Sequence, residues 1–285
     1  MKLKNIIVGA SVLFLFFAFA SCSGGGSKDK NLIAEGPYET LIAATKTSPA
    51  YVLIDKPQVN LNEFTKDDDG FITLFDGTFK GWRGYNRDDV PKRWVIDDGT
   101  LKFTGSGEGE AQDSDGGDLV FAYKFKNFEL SIDWKVSKGG NSGIFYLAQE
   151  IKGHPVYISS PESQILDNQN NTDGRDPKTS SSSLYDMIAA DPQNSKPFGE
   201  WNNTTIIVDR GSVYHFQNGE RVLRYNLWTA RWTDMLQNSK FSQKEWPIAF
   251  ELLNNCGGPN REGYIGLQDH GDDVWFRNIK IKILD

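Results

Sequence analysis

Two stretches of the chain carry polar residues whose types and spacing suit proton transfer and hydroxyl binding. In GYIGLQDHG, residues 263–271, strand alternation places Gln268 and His270 on one face. In PESQILDN, it places Glu162 and Gln164 on one face in the same way. An imidazole and a carboxylate can move protons, and amides can hold hydroxyls. These residues therefore predict acid–base chemistry on a hydroxyl-rich ligand.

A third stretch, NSGIFYLAQE, places Asn141 and Gly143 ahead of an apolar strand, on a surface that the other two stretches can share. A structural interpretation competes with the catalytic one. An isolated Glu162–Gln164 pair is more often the solvated side of a strand, and His270 can be a structural histidine.

Other catalytic patterns are absent from the sequence. No serine stands in a Gly-x-Ser-x-Gly turn, and the Glu-x-Asp-x-x-Glu run of sandwich-fold glucanases is missing. GSGEGE, residues 105–110, lacks the strand and helix that flank a phosphate-binding loop. A structural zinc site would need thiolates that the chain does not have.

The elements that position these residues are predicted to be strands. From Phe71 onward, short segments rich in Val, Ile, Phe, Tyr and Trp alternate with Gly, Asn and Asp clusters. FELSIDWKV, residues 128–136, predicts a strand with one face in a core and one in water. Asn218-Gly219 predicts a hairpin, because both central positions of a type I′ turn need positive φ. The chain is therefore expected to be an all-β antiparallel sandwich or barrel.

Three further local predictions can be compared with the structure. TDMLQNSKFSQKEW, residues 233–246, is the best helix candidate, and ETLIAATK, residues 39–46, is compatible with a short helix followed by a strand at AYVLI. Alternation in VWFRNIKIKI places Trp275, Arg277 and Ile279 on one face, with Arg277 at the edge of a core and in need of a carboxylate or carbonyl partner.

The N-terminus has the composition of an export signal. Lys2 and Lys4 precede an apolar run that ends in FASC, which resembles the lipobox of bacterial lipoproteins. We expect a lipoprotein signal peptide over 1–21, then lipidated Cys22 and a flexible tether over 22–30. The protein would then be exported and membrane-anchored, facing the periplasm or the cell surface. An uncleaved anchor or a coincidental cysteine is the weaker alternative.

Composition narrows the class of ligand. Aromatic residues make up 13% of the chain, with 8 Trp and 10 Tyr, which is enough for a core and for a sugar-binding surface. Removal of Lys2 and Lys4 with the signal changes the formal charge from −7 to −7 − 2 = −9. No basic stripe remains to follow a phosphate backbone, so nucleic acid is not an expected partner.

Six motifs in order resemble the 3-keto-disaccharide hydrolase family, which is common in Bacteroides-like bacteria. They are ITLFDGTFKGW, NSGIF, ESQILDN, SLYDMI, GEWNNTTIIVDRGSVYHFQNGERV and GYIGLQDHGDDVWFRNIKI. The resemblance covers residues 71–285 and leaves 31–70 as an N-terminal extension without an assigned function. It implies a concanavalin A-like jelly roll of two sheets, whose concave face holds sugar.

The resemblance also implies site residues. Glu162 and His270 are the expected catalytic pair, with His270 as base and Glu162 as acid for the leaving group or as partner to a metal. The expected substrate-binding residues are Asn141, Gln164, Asp167, Trp201, Asn202, His215, Asn218 and Gln268. A divalent metal held by Glu162 and a histidine is compatible chemistry, although the sequence shows no ligand spacing. GHPVYISSP and the insertion at 232–263 are expected to reshape the pocket.

Substrates implied by the resemblance are glycosides already oxidised to a ketone at C3. The ketone acidifies the C2 hydrogen, so a modest base can remove it and the C1 substituent can leave by elimination. Addition of water then completes a net hydrolysis. The alternative is a lipid-anchored module that binds glycans without chemistry, because sandwiches serve both purposes. A glycosidase for unoxidised glycans is disfavoured by the missing carboxylate run.

Overall fold

The structure of the protein, a computed structural model, describes residues 38–107 and 115–285. The expected signal peptide, Cys22 and the tether lie outside the described residues. No helix in the described part of the chain is long and apolar enough to cross a membrane.

Strands dominate the described residues, with two α-helices and short 3-10 turns between them. In chain order the strands are β1 (Tyr38–Ile42), β2 (Tyr51–Asp55), β3 (Ile72–Thr73), β4 (Trp82–Gly84), β5 (Trp94–Asp97), β6 (Thr100–Phe103), β7 (Leu119–Phe121), β8 (Phe128–Val136), β9 (Asn141–Ala148), β10 (Glu150–Ile151), β11 (Glu162–Leu166), β12 (Asn202–Asp209), β13 (Ser212–Gln217), β14 (Glu220–Asn226), β15 (Tyr264–Leu267) and β16 (Val274–Ile283). The helices are α1 (Ala230–Gln237) and α2 (Pro247–Asn254).

Two antiparallel sheets pack face to face. The smaller sheet has five strands in the order β11-β9-β15-β7-β4. The larger sheet has eight, in the order β14-β13-β12-β8-β16-β6-β5, with β3 also paired to β16. A separate three-stranded sheet has the order β1-β2-β10. The all-β sandwich predicted from the sequence is confirmed.

The core lies between the two sheets and is built from alternate residues of their strands. β8 shows the predicted alternation, and its buried residues are Phe128, Leu130, Ile132, Trp134 and Val136. On the smaller sheet, Ile144 of β9, Ile165 of β11 and both Ile265 and Leu267 of β15 enter the same core. Because side chains alternate, the intervening residues of these three strands point away from the core. They form the outer face of the smaller sheet.

The hairpin between β13 and β14 confirms the turn prediction. Its two central residues, Asn218 and Gly219, have φ of 51° and 83°. A type I′ turn requires both values to be positive, and its twist matches that of the strands it joins.

The helix expected at 233–246 is present only in part, because α1 ends at Gln237 and α2 begins at Pro247, after the predicted segment. α1 begins at Ala230 behind Thr229, whose hydroxyl accepts from the Trp232 amide at 3.2 Å. The segment between α1 and α2 is irregular, because Ser239 bonds to the Leu236 carbonyl at 2.9 Å and to the Phe241 amide at 3.1 Å. Such local side-chain bonds offer the backbone an alternative to helix.

The short helix expected at 39–46 is wrong, whereas the strand expected next to it is present. β1 pairs with β2, with Tyr38 opposite Asp55, and β2 pairs in turn with β10. Pairing with a neighbouring strand therefore overrides the weak helix preference of this segment.

The predicted facing of Arg277 is wrong, because β16 contains an irregularity. Its register with β8 shifts between Arg277 and Lys280, and Asn278 has a φ of 51°. Ile279 consequently returns to the core, while Arg277 lies on the outer face of the larger sheet. Its expected carboxylate partner is present, since its Nε lies 3.6 Å from Asp133 Oδ2.

Candidate active site

A cavity of about 170 Å³ lies on the outer face of the smaller sheet. Its lining residues are Asn141, Tyr157, Glu162, Gln164, Tyr185, Lys240, Trp246, Gln268 and His270. A larger cavity of about 440 Å³ lies beside β14 and α1, but none of the predicted site residues lines it. The smaller cavity is therefore the candidate active site.

The floor of the cavity is formed by β11, β9 and β15, which are consecutive in the smaller sheet. In this register Glu162 lies opposite Phe145, and Gln164 lies opposite Gly143. A Cβ atom on Gly143 would overlap the Glu162 carboxylate. Glycine at this position therefore makes room for the glutamate over the neighbouring strand.

Hydrogen bonds hold the Glu162 carboxylate and the adjacent strands in place. When the Gln164 amide is oriented to satisfy its neighbours, its nitrogen donates to the Ser142 carbonyl at 2.9 Å and to Glu162 Oε1 at 3.1 Å. The backbone N–H of Gln268 donates to the Gly143 carbonyl at 3.0 Å. The Ser142 hydroxyl donates to the backbone carbonyl of Gln268 at 2.9 Å. The floor is thus fixed before any ligand binds.

His270 follows β15 on a turn that is itself bonded. The buried Asp269 carboxylate accepts from the Gly117 amide at 2.7 Å and from the Gly271 amide at 2.9 Å. His270 is partly exposed, and its Nε2 lies 3.5 Å from Asn141 Nδ2. The imidazole therefore faces the cavity from a fixed backbone.

Asp272 is a second carboxylate beside this histidine. Its Oδ2 accepts from the backbone N–H of Asn141 at 3.1 Å. Burial raises the pKa of Asp272, while the hydrogen bond from Asn141 and the charge of His270 act in the opposite direction. Asp272 thus ties the start of β9 to the turn that carries His270.

The wall of the cavity is aromatic and carries one cation. Tyr157 comes from the 3-10 turn at Val156–Ile158, and its ring meets Trp246 edge to face at 5.9 Å. Lys240 and Trp246 come from the segment between α1 and α2. Tyr185 lies in the loop after β11, with Lys240 Nζ 4.2 Å from its ring centroid. Both segments expected to reshape the pocket therefore contribute to it.

Five of the ten predicted site residues line this one cavity: Asn141, Glu162, Gln164, Gln268 and His270. They come from three segments separated by up to 129 positions along the chain. The alternation in the sequence placed Glu162 and Gln164 on the correct face of β11. The strand predicted to continue to His270 ends at Leu267, so Gln268 and His270 reach the cavity from the segment after β15.

His215 lies between the two sheets instead, and we remove it from the candidate site. Its ring is fully buried, with Nδ1 3.0 Å from the Ser182 carbonyl and Nε2 2.8 Å from the Tyr146 hydroxyl. These partners fit a neutral ring that donates from Nδ1 and accepts at Nε2. Burial lowers the pKa of His215 to about 4. It is a core residue with satisfied hydrogen bonds.

Asn202 and Asn218 also lie outside the cavity, because they bond to each other and to nearby backbone. Asn218 Nδ2 donates to Asn202 Oδ1 and to the Asn194 carbonyl, both at 2.9 Å. Asn203 N–H donates to Asn218 Oδ1 at 3.0 Å. These amides hold the β13–β14 hairpin against the start of β12.

Asp167 and Trp201 are likewise placed away from the cavity. Asp167 is buried at the end of β11, where its Oδ2 accepts from the Gly139 amide at 2.8 Å and from Asn170 Nδ2 at 2.7 Å. Trp201 precedes β12, and the Arg277 guanidinium lies 3.9 Å from its ring centroid. That contact is on the outer face of the larger sheet. Both residues stabilise local structure.

Sequence reasoning did not name five residues at or beside the site: Tyr157, Tyr185, Lys240, Trp246 and Asp272. Three of them lie in the two segments that were expected to reshape the pocket, and Tyr185 lies in the SLYDMI motif. No periodicity marks them, because irregular segments carry them all. Only their contacts in the folded chain identify them.

The site was also tested for a divalent metal. The described residues contain no group of three or more His, Cys, Asp or Glu side chains that could hold a metal ion. The lining supplies one carboxylate, Glu162, and one imidazole, His270, and its remaining polar groups are amides, phenols, an indole and an ammonium. This donor set does not fit a complete protein-ligated site, so we derive no step through a metal.

Taken as chemistry, the floor offers an imidazole, an oriented carboxylate and amides around one small cavity. Such a set can transfer protons and hold hydroxyl or carbonyl oxygens.

Known proteins resemble this chain in sequence and in fold. The family described as 3-keto-alpha-glucoside-1,2-lyase-like domain matches residues 70–282. A 3-keto-disaccharide hydrolase of Bacteroides thetaiotaomicron is 57% identical over 278 residues, which is 93% of this chain and 94% of that protein. A solved structure of a candidate glycosyl hydrolase from Parabacteroides distasonis is 28% identical with a TM-score of 0.64, covering 76% of this chain and 95% of its own.

A second candidate glycosyl hydrolase from the same organism is 26% identical with a TM-score of 0.57, covering 75% of this chain and 99% of its own. The similarity of fold supports the sandwich architecture, and the family expected from the six sequence motifs is confirmed. The chain therefore belongs to the 3-keto-alpha-glucoside-1,2-lyase-like family and is an enzyme.

Proposed function

We propose that the protein hydrolyses 3-keto-glycosides by elimination followed by addition of water. The observation that carries this proposal is the convergence of His270, Glu162 and three amide side chains on one cavity. The 57% identical relative is named a 3-keto-disaccharide hydrolase, which supports the same class of substrate.

In the first step, the His270 imidazole removes the proton from C2 of the oxidised sugar. The C2–H electrons form a C2=C3 bond, and the ketone oxygen becomes an enolate. Asn141 Nδ2, which lies 3.5 Å from His270 Nε2, is placed to donate to that oxygen. The base and the donor therefore act on neighbouring atoms of the substrate.

In the second step, the enolate re-forms the ketone and its electrons form a C1=C2 bond. The C1–O bond breaks, and the leaving oxygen takes a proton from Glu162. Gln164 holds Glu162 in position through its amide nitrogen, at 3.1 Å. The side-chain oxygen of Gln164 has two lone pairs, so it can also accept from a sugar hydroxyl.

In the third step, water adds to the enone. The Glu162 carboxylate takes one proton of the water as the hydroxyl joins C1, and a proton returns to C2. The sum of the steps is hydrolysis of the glycosidic bond, with Glu162 again protonated. The imidazolium formed on His270 in the first step exchanges its proton with solvent and then supplies the proton that returns to C2.

The test compares a 3-keto-glucoside with the matched unoxidised glucoside, followed by NMR in deuterated water. We expect cleavage of the oxidised substrate alone, with deuterium gained at C2 of product or unspent substrate. Equal cleavage of both would require an oxocarbenium route and a second catalytic carboxylate. Binding of both without turnover would favour a glycan-binding module instead.

A further inference from the structure

The aromatic wall of the cavity contains a lysine that the proposed steps do not use. Lys240 Nζ lies 4.2 Å from the ring centroid of Tyr185, 5.0 Å from that of Phe241 and 5.7 Å from that of Tyr157. Contacts at these distances attract the ammonium to the electron-rich faces of the rings. The wall therefore holds a positive charge at a defined place beside the catalytic floor.

This charge has no ion-pair partner among the described residues, in contrast to its neighbour in sequence. Lys244 Nζ lies 3.1 Å from Glu245 Oε1, and both of those side chains are largely exposed. The Asp186 carboxylate accepts from the Lys240 backbone N–H at 2.6 Å. That bond anchors the backbone and leaves the ammonium free to meet a ligand.

The cavity is too small to enclose a whole glycoside, so one part of the substrate lies on the floor and the rest lies against the wall. Its volume of about 170 Å³ is below the roughly 300–1,000 Å³ of sites for drug-sized ligands, so it can enclose little more than one ring. Under the proposed function, the oxidised ring must lie over His270 and Glu162. The leaving group then extends towards the wall formed by Tyr157, Tyr185, Lys240 and Trp246.

We propose that these four residues form a leaving-group subsite and that the preferred leaving group carries an oxyanion, such as a carboxylate or a sulfonate. Tyr157 and Trp246 offer flat surfaces for a ring, and Lys240 offers the complementary charge. This inference rests on the proposed function for the direction in which the substrate lies, but the charge preference can be measured without turnover.

The test measures the affinity of the full chain for three unoxidised glucosides by calorimetry: phenyl, para-carboxyphenyl and para-sulfophenyl. Wild type, Lys240→Gln and the matched control Lys244→Gln are compared. We expect the anionic glucosides to bind about twofold to fivefold more tightly than phenyl glucoside, which is the range of one exposed ion pair. Lys240→Gln should remove that preference and Lys244→Gln should keep it. The two anionic probes separate a general oxyanion preference from a carboxylate-specific one.

Equal affinities for all three glucosides, no binding of any of them, or a preference that persists in Lys240→Gln would overturn the subsite. Turnover of the corresponding 3-keto-glucosides is measured in parallel. Cleavage without a charge preference would leave the proposed function intact and reject the subsite. A charge preference that depends on Lys240 but comes without cleavage would keep an oxyanion-binding site at Lys240 and reject the proposed function.

Discussion

At the scale of residues, the environment separates two histidines that look alike in the sequence. His215 is fully buried with both ring nitrogens bonded, whereas His270 is partly exposed and faces the cavity. A catalytic base must reach the proton that it abstracts, so only His270 meets the geometric requirement. The third histidine, His154, lies outside the cavity lining and provides a control.

Substitution His270→Gln should lower kcat for a 3-keto-glucoside by roughly 10²–10⁴, because the general base is lost. The melting temperature should remain near that of wild type, since the turn is held by Asp269 and not by the imidazole. Activity assays and thermal unfolding check both expectations, with His154→Gln as the matched control. Retained activity, or simple unfolding of the variant, would return His270 to a structural role.

His215 should make the protein sensitive to acid. Its pKa is lowered to about 4 in the folded chain, against about 6.5 in the unfolded chain. As pH falls below 6.5 the unfolded state binds the proton first, so the free energy of unfolding falls until pH reaches about 4.

Urea unfolding at pH 7 and pH 5 measures this contribution of His215. Between these two values wild type should lose about 2 kcal/mol more than His215→Gln, whatever the stability of the variant at pH 7. His154→Gln should follow wild type. Parallel losses in wild type and His215→Gln would show that this imidazole does not stay neutral in the fold.

At the scale of elements, the order β11-β9-β15 in the smaller sheet builds the floor of the candidate active site. The register of β11 on β9 places Gly143 beneath the Glu162 carboxylate, and the Gln268 amide bonds to the Gly143 carbonyl from the other side. Gly143 thus sets the position of the Glu162 carboxylate relative to β15, the strand that precedes His270. The activity of the site should therefore depend on the absence of a side chain at Gly143.

Substitution Gly143→Ala should lower kcat by about tenfold to a hundredfold, because the added methyl displaces the Glu162 carboxylate. The matched control is Gly266→Ala on the adjacent strand β15, where the nearest atom to an added Cβ lies 3.3 Å away. Steady-state kinetics and thermal unfolding of both variants test this expectation. Equal activity of the two variants would contradict a spacing role for Gly143.

At the scale of the whole molecule, the sandwich places the floor of the candidate active site on one outer face. The segment between α1 and α2 narrows that face to a pocket by contributing Lys240 and Trp246. Such a small pocket suits the end of a short glycoside better than the middle of a long chain. We also propose that the protein is a lipoprotein, on the basis of FASC ahead of Cys22, which lies outside the described residues.

Substitution Cys22→Ala should release the protein from the membrane fraction or block its maturation, because the thiol that takes the lipid is lost. Fractionation of cells that express wild type or Cys22→Ala tests this expectation. Cys256→Ala is the control, since this thiol is fully buried in the core and cannot take a lipid. Unchanged membrane association of Cys22→Ala would reject the anchor.

The sequence by itself determined the fold class, the family and the facing of the strand that carries Glu162 and Gln164. Strand alternation has a period of two, so it assigned Glu162 and Gln164 to the correct face of β11 without knowledge of their neighbours. It did not predict that β15 ends at Leu267, before Gln268 and His270. The Asn218-Gly219 turn could also be predicted from the sequence, because the positive φ values of a type I′ turn depend only on the two residues in it.

Only the tertiary structure decided which polar residues share the pocket. His215 alternates on its strand as regularly as a site residue does, but that strand belongs to the other sheet and directs it into the core. The irregularity at Arg277 and Asn278 reversed a predicted facing, because one extra residue in a strand exchanges its two faces. Lys240 and Trp246 lie in an irregular segment without a period, so their place in the wall follows from packing between distant parts of the chain.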